Sequence, residues 1–273
     1  RVPIALGVLV LALAWIPVSR SARAEQRFDL LGAVLLTAAL VSTLLAFNRV
    51  SSLGWLAPPT LALLGFAVVS VLCFLFVERR APQPVIELAL FAHRQFTIAN
   101  AANVIAQMSG FSVFLLGPYF LLRFAEGNVS WAGLLLGISP IGGAVAAIAA
   151  GRLLGRYSAW SLSCLGLGMV ALGLFGVSTW TPDVSVRWVI ATLVLNGVGL
   201  GLFQVSNMDY VIGSVPRSQH GVAGALTMLT RTIGVVGGAT LGSVIFTALG
   251  GRFPSGSNAP LDEAFMDPYR IVF

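Results

Sequence analysis

The sequence predicts an all-α polytopic membrane protein, and two properties of the chain support that fold class. Of its 273 residues, 57% are hydrophobic and only 10% are charged, whereas a soluble domain is about one quarter charged. The apolar residues form long continuous runs rather than short alternating ones, which favours transmembrane helices over a membrane β-barrel. The composition therefore excludes a soluble globular domain.

Eight apolar runs are long enough, or nearly so, to cross the hydrocarbon core, which takes about 20 helical residues. In chain order, these predicted spans are residues 2–17, 28–47, 55–77, 97–122, 131–150, 160–178, 188–215 and 221–249. A ninth run begins near Ala264. The segments between the runs are short and rich in Pro, Gly, Ser and Arg, as expected of helix ends and turns.

The arginines predict the orientation of the spans. The net charge is +6, and cytoplasmic loops of membrane proteins carry the excess of positive residues. One alternate set of loops holds Arg20, Arg23, Arg27, Arg79, Arg80, Arg94, Arg152, Arg156 and Arg217, and the other holds only Arg49, Arg123, Arg187 and Arg252. The first set is therefore predicted to be cytoplasmic. Four tryptophans at the opposite ends of the spans, Trp55, Trp131, Trp180 and Trp188, are placed as an aromatic belt would be.

No pattern of catalytic residues is found, so the chain is predicted not to be an enzyme. No carboxylate pair, Cys/His cluster, phosphate-binding glycine loop or nucleophile motif stands out, and no metal site or cofactor is predicted. Cys73 and Cys164 lie inside apolar runs and are predicted to pack in the core rather than to form a disulfide. His93 and His220 fall in loops. The arginines are scattered, which indicates membrane orientation rather than nucleic-acid binding.

Two predicted spans carry amide side chains along one face. The six amides are Asn100, Asn103 and Gln107 in residues 97–122, and Asn196, Gln204 and Asn207 in residues 188–215. At about 100° per residue, each set of three falls within one sector of its helix. Two interpretations stay open: hydrogen bonds between helices, which are common in membrane bundles, or the wall of a water-filled substrate cavity.

Asp209 is an ionisable residue inside the predicted span 188–215. It lies about 10 Å from the loop at Pro216 and about 200° around the helix from Asn207. This angle predicts that one cavity does not easily receive both side chains from a straight helix. An acid at this depth is a functional hypothesis by default, and Arg231 in the next span is its candidate partner. The alternatives are a structural bond of Arg231 to Asp209 or a carbonyl, a direct role in handling protons or substrate, and snorkelling of Arg231 to the lipid interface.

Small residues and prolines mark predicted helix contacts and bends. Gly234, Gly238 and Gly242 recur every four residues, a spacing that lets helices approach closely. The same stripe also suits a sliding contact in a moving interface. Pro118 and Pro140 interrupt two spans, where they either kink the helix or act as hinges.

Four segments of the chain carry a family resemblance. In order they read RFDLLGAVLLTAALVSTLLAF, PVIELALFAHRQFTIAN, AGLLLGISPIGGAVAAIAAGRLLGR and GSVPRSQHGVAGALTMLTRTIGVVGGATLG. They resemble the fourteen-span drug:proton antiporters of the major facilitator superfamily. The resemblance implies the C-terminal fragment of such a transporter. Residues 1–19 would end the N-terminal bundle with its sixth span, residues 20–80 would hold two extra central spans with cytoplasmic linkers, and residues 81–273 would form the C-terminal bundle with a truncated last span.

The resemblance also assigns a cytoplasmic gating loop. Gly151, Arg152 and Arg156 match the family's Gly-Arg loop motif, although Gly155 stands where an Asp is usual and Ser158 replaces a usual Gly. Those two departures argue against a charge relay in this loop. The second cytoplasmic signature is matched by Pro216, Arg217, Gly221 and Gly224, and Arg231 matches the family's Arg in the span that follows. Asp209 stands where small or uncharged residues are usual, so the resemblance gives it no role.

The resemblance implies a transmembrane transporter that exports drugs or other amphipathic small molecules by proton-coupled antiport and alternating access. The proton gradient would be the energy source, with no cofactor. Its partners would be a small-molecule substrate, protons, the lipid bilayer and the N-terminal bundle of the same chain, which would hold the coupling acids. The expected location is the plasma or inner membrane. Two alternatives remain: an exporter or importer of one metabolite, and a membrane sensor that has lost transport.

Overall fold

A computed structural model describes residues 29–54, 57–80, 88–251 and 263–273, together with positions 7 and 11. Over these residues the regular structure is helical throughout, which confirms the predicted fold class. In the numbering used below, the α-helices are α1 Leu30–Leu53, α2 Pro58–Glu78, α3 Arg94–Phe124, α4 Val129–Leu153, α5 Ala159–Ser178, α6 Val186–Gly213, α7 His220–Ala248 and α8 Glu263–Val272. Most of the predicted span 2–17 and of segment 1–19 lies outside the described residues, as do the orientation markers Arg20, Arg23, Arg27, Trp55 and Arg252.

Six of the described helices, α2 to α7, are long and apolar enough to cross a membrane. Helix α1 covers the predicted span 28–47 from Leu30 onward, and α8 begins at Glu263, next to the predicted ninth run. Several helices extend past their apolar runs, because polar residues at the ends continue the helical hydrogen bonding; α3, for example, starts at Arg94 rather than at residue 97. A short 3-10 helix, Leu88–Ala92, occupies the longest predicted cytoplasmic loop.

Side-chain caps fix where three of the spans begin. Asn128 accepts a hydrogen bond from the backbone N–H of Trp131 at 3.1 Å, and so starts α4. Ser158 does the same for α5 through the N–H of Ser161 at 3.1 Å, and Ser185 caps α6. Such residues satisfy backbone donors that have no partner in the first turn. Ser158, which departs from the family motif, therefore has a local structural role as a cap.

The helices pack in three sets, and in two of them glycines allow backbone contact between neighbours. Helix α6 lies between α4 and α5, while α3 pairs with α7 and α1 pairs with α2. At Gly197 and Gly201 of α6, a Cβ atom would lie within 3.0 Å of backbone atoms of Ser139 and Gly143 of α4. On the other side of α6, Gly199 meets the backbone of α5 in the same way. Glycines on two faces of α6 thus allow it to pack closely between two neighbours.

The pairing of α3 with α7 confirms the close approach predicted from the glycine stripe. At Gly234 and Gly238, a Cβ atom would lie within 3.0 Å of the backbone oxygens of Val104 and Met108 in α3. At Gly242 the contact is looser, since the nearest atom belongs to the Leu115 side chain at 3.2 Å. The seam is therefore tightest in the middle of both helices.

An aromatic cluster at the predicted non-cytoplasmic end joins α8 to α3, to α7 and to the segment that follows α5. Its buried members are Phe120, Trp180, Phe246, Phe265 and Tyr269. The rings of Phe120 and Trp180 lie 4.9 Å apart, and those of Phe120 and Tyr269 lie 5.6 Å apart. Each aromatic pair of this kind, tilted or stacked, adds about 1 kcal/mol beyond the burial of its area.

Two predictions from the apolar pattern are corrected by burial. The aromatic-belt prediction is wrong for Trp180, which is fully buried and whose Nε1 donates to the Thr192 hydroxyl at 3.1 Å; Trp131 and Trp188 are exposed as a belt requires. Cys73 and Cys164 form no disulfide, as predicted, but both are exposed rather than packed in the core. Position in an apolar run does not say which side of a helix faces the protein.

Candidate functional site

Four helices, α3, α4, α6 and α7, border two adjoining, partly open cavities of about 430 Å³ and 400 Å³. The first is bordered by Asp209 and Ile212 near the end of α6 and by Leu154 just after α4, so it lies toward the predicted cytoplasmic side. The second lies nearer the middle of α4 and α6. Gln204, Val205 and Arg231 line both cavities, and they mark where the two adjoin.

Only half of the predicted cavity amides line these cavities. Asn103, Gln204 and Asn207 border the first one, and Gln204 also borders the second. The other three amides, Asn100, Gln107 and Asn196, are buried and border neither. The two interpretations of the amide pattern therefore both apply, to two subsets of the residues that share Asn103.

Asn100 and Asn103 belong to a hydrogen-bond network that ties α3 to α7. The Asn103 amide donates to the carbonyl of Thr227 at 2.9 Å and to the hydroxyl of Thr230 at 3.0 Å. Thr230 in turn donates to the Asn100 amide oxygen at 3.0 Å. Both amides are 3% exposed. This is the interhelical interpretation, and Asn103 combines it with a place on the cavity wall.

Asn196 and Gln107 lie at tight helix crossings. Asn196 has no exposed surface, and its amide oxygen accepts from the Ser139 hydroxyl at 3.4 Å across the α4–α6 contact. The Gln107 side chain packs beside Gly234 on α7. The amide nitrogens of both residues are buried without a hydrogen-bond partner. A buried amide nitrogen without a hydrogen-bond partner costs free energy in a packed interior. Both amides lie in helix contacts and line neither cavity.

Asp209 and Arg231 line the same cavity but do not touch. Among the described residues, neither side chain makes an ion pair or a hydrogen bond, so the direct bond considered for them is absent from this structure. Asp209 is exposed and Arg231 is half-buried. The expectation that Asn207 and Asp209 avoid a common cavity is wrong: both border the first one. Residues over a broad arc of α6 line this cavity, whereas the prediction assumes that a cavity is lined by one narrow stripe of the helix.

The predicted gating-loop residues lie at the predicted cytoplasmic end of α4. Gly151 and Arg152 belong to its last turn and Arg156 follows it, and all three are exposed. In the part of the chain that the structure describes, neither arginine forms an ion pair. An exposed basic loop at this end fits the predicted orientation, while its part in gating stays a prediction.

Replacing Asn103 is expected to loosen the α3–α7 pair, whereas replacing Asn207 is not. Asn103→Leu removes two interhelical hydrogen bonds, which in membrane bundles are worth about 0.6 to 1.7 kcal/mol each. Asn207 makes no hydrogen bond with any described residue, so Asn207→Leu should change stability by less than about 0.5 kcal/mol. Thermal unfolding of the two variants in detergent measures the difference. Equal losses of stability would contradict the assignment of Asn103 to the seam.

Comparison with known proteins agrees with this architecture. The family model described as the Major Facilitator Superfamily matches residues 2–239. Over 266 residues, or 93% of the chain, the sequence is 28% identical to the tetracenomycin C resistance and export protein of Streptomyces glaucescens. It is 30% identical over 90% of the chain to the multidrug resistance protein Stp of Mycobacterium tuberculosis, and 31% identical over 88% to a tetracycline resistance determinant of Streptomyces rimosus.

These relatives are longer than the chain. It spans 47% and 45% of the first two and 70% of the third. The helical architecture, the six described helices that can cross a membrane and the match over most of the sequence are consistent with one another. The chain is a multi-pass protein of the cell membrane and belongs to the Major Facilitator Superfamily.

Proposed function

We propose that this chain forms part of an exporter of drugs or other amphipathic small molecules, driven by the proton gradient. The observation that carries the proposal is the pair of adjoining cavities, whose walls are mainly apolar and include three amides, two hydroxyls and two charges. Binding sites for small molecules are mostly apolar with a small number of placed polar groups. The names of all three relatives refer to resistance, and one of them also to export.

The proposed mechanism is alternating access between two helix bundles. One bundle would consist of the helices described from α3 onward, and the other would lie outside the described residues. Beside the second cavity, α4 carries an exposed apolar face with Ile141, Val145 and Ile148, each more than 60% exposed. A second bundle that rocks against this face would close the cavities on their open side. Proton binding would favour one state only through a difference in affinity between the two states.

The glycine seams suit such rigid-body movement. Backbone contacts at Gly197, Gly201, Gly234 and Gly238 hold α4 to α6 and α3 to α7. Tightly packed interfaces of this kind resist continuous deformation and move as units. These seams would therefore hold the helices of the bundle together, and the sliding surfaces would lie on the open side of α4 and α7.

The test is dye efflux by the complete gene product in inverted membrane vesicles. We expect accumulation of an amphipathic fluorescent dye to depend on an imposed pH gradient and to stop when an ionophore collapses that gradient. Gln204→Leu should lower the efflux rate about fivefold, since it removes a polar contact worth about 1 kcal/mol to a bound substrate. Gln95→Leu is the matched control, because Gln95 is exposed at the start of α3 and lines neither cavity.

Different outcomes would contradict different parts of the proposal. Efflux that continues after the gradient has collapsed contradicts proton coupling but not export. A lack of efflux and of any drug resistance, in a protein shown to reach the membrane, contradicts drug export. It would favour transport of a single metabolite or a sensor without transport. If Gln204→Leu and Gln95→Leu lowered the efflux rate equally, the cavity would have no part in transport.

A further inference from the structure

Two side chains of opposite charge border the first cavity but form no ion pair with each other. Asp209 on α6 and Arg231 on α7 both border it, and within the described residues neither forms an ion pair or hydrogen bond. Most of the remaining wall is apolar, with Val205, Met208 and Ile212 among its members. A charged side chain at membrane depth is costly unless it faces water, another charge or a ligand. Both charges therefore face the open cavity, where water or a charged ligand can reach them.

The two charges lie at different depths. Arg231 borders both cavities together with Gln204 and Val205, so it sits where the cavities adjoin. Asp209 borders only the first cavity and follows Gln204 by five residues, which is about 7.5 Å along α6 toward the predicted cytoplasmic end. The cavity thus presents a negative group near its cytoplasmic end and a positive group deeper in the membrane. Gln204, which makes no hydrogen bond with any described residue, lies beside the deeper one.

We propose that this cavity binds zwitterionic amphiphiles, with the cationic group of the ligand at Asp209 and its anionic group at Arg231. The proposal rests on the proposed function, and it narrows the substrate class. A purely cationic ligand would meet Arg231 as a repulsive charge, and a purely anionic one would meet Asp209. Specificity of this kind comes from the repulsion of the wrong ligand as much as from attraction of the right one.

The test uses three matched ligands and the complete protein in lipid nanodiscs. The zwitterion is 4-(aminomethyl)phenylacetate, in which a benzene ring separates an ammonium from a carboxylate. Its methyl ester is only cationic, and its N-acetyl derivative is only anionic. Binding is measured by displacement of a bound fluorescent dye. We expect the wild-type protein to bind the zwitterion about tenfold more tightly than either derivative, because each derivative lacks one charge-assisted hydrogen bond.

Two neutral variants assign each charge to its group. Asp209→Asn should abolish the preference for the zwitterion over the N-acetyl derivative, and Arg231→Gln should abolish the preference over the methyl ester. Asp209→Glu and Arg231→Lys keep the charges and should keep part of each preference. The matched controls are Asp183→Asn and Arg187→Gln, since both residues are exposed near the opposite ends of the spans. Thermal unfolding identifies any variant whose fold is lost, and the charge-conserving variants then carry the test.

The results separate this inference from the proposed function. Equal affinity of the wild-type protein for all three ligands would overturn the inference, while gradient-driven dye efflux would leave the exporter proposal intact. The inference is also overturned if the two neutral variants keep the wild-type order of affinities, because the charges would then be paired with residues of the other bundle. A lack of both dye efflux and ligand binding would overturn both proposals.

Discussion

Gly201→Ala is expected to destabilise the protein by about 3 kcal/mol, at the upper end of the range for overpacking a close contact. The added methyl group would lie within 3.0 Å of the backbone oxygen of Gly143. A backbone atom in a helix cannot rotate away as a side chain can, so α4 and α6 must move apart. The separation would also disturb the Ser139–Asn196 contact in the same interface. Thermal unfolding in detergent, followed by loss of helical circular dichroism, measures the effect.

Gly168→Ala on α5 is the control for this prediction. No atom lies within 4 Å of the position where its Cβ would be, so the added methyl group meets no neighbour. Because alanine favours the helix by about 1 kcal/mol over glycine, Gly168→Ala should stabilise the protein slightly. The two substitutions are chemically identical and are expected to differ in sign. Similar effects at both positions would show that close approach of α4 and α6 does not hold the bundle together.

Gly238→Ala is expected to open the α3–α7 seam at a cost of about 2 to 3 kcal/mol. Its new Cβ would lie within 3.0 Å of the backbone oxygen of Met108. The neighbouring Gly237 provides a control in the same turn of the same helix, since its Cβ would meet only the Met108 side chain at 3.7 Å, an ordinary contact. Gly237→Ala should therefore be neutral or slightly stabilising. Unfolding temperatures of the two variants, compared with wild type, decide the prediction.

A double-mutant cycle tests whether the seam acts as one unit. Asn103 donates across the α3–α7 interface to Thr227 and Thr230, so widening the seam with Gly238→Ala should already weaken those bonds. Combining it with Asn103→Leu is then expected to cost less than the sum of the two single effects. Combining Gly201→Ala with Asn103→Leu should be additive, because these positions belong to different interfaces. Additivity in both combinations would mean that the hydrogen bonds survive the widening.

Much of the architecture can be predicted from the sequence because the bilayer imposes strict rules. A span must be long, apolar and helical, so that every backbone group is paired internally. For this reason the predicted runs coincide with helices wherever the chain is described, and the glycine stripe at Gly234 and Gly238 predicts a real contact. Helix ends are less predictable, since capping residues such as Asn128 lie outside the apolar runs.

The candidate site is predicted only in part, because an angle on one helix does not identify the neighbour that the side chain meets. The stripe of Asn100 and Asn103 suits a helix contact and a cavity wall equally well. The structure shows that both residues join α7 through Thr partners and that Asn103 also borders a cavity. The same holds for Asn196, which the glycines at the α4–α6 crossing bring against Ser139. The error for Asp209 is the opposite one. Its angle from Asn207 around α6 predicts that the two side chains do not share a cavity, but the first cavity is wide enough to border both.

By itself, the sequence determined that this chain is helical, that it crosses the membrane several times and which residues are polar at membrane depth. These properties follow from hydrophobicity and helical geometry, which are local and act along one segment at a time. The tertiary structure alone decided which amides join helices, which face a cavity, and that Asp209 and Arg231 share one cavity without touching. Those outcomes depend on how closely pairs of helices pack, and that distance is set jointly by residues far apart in the chain.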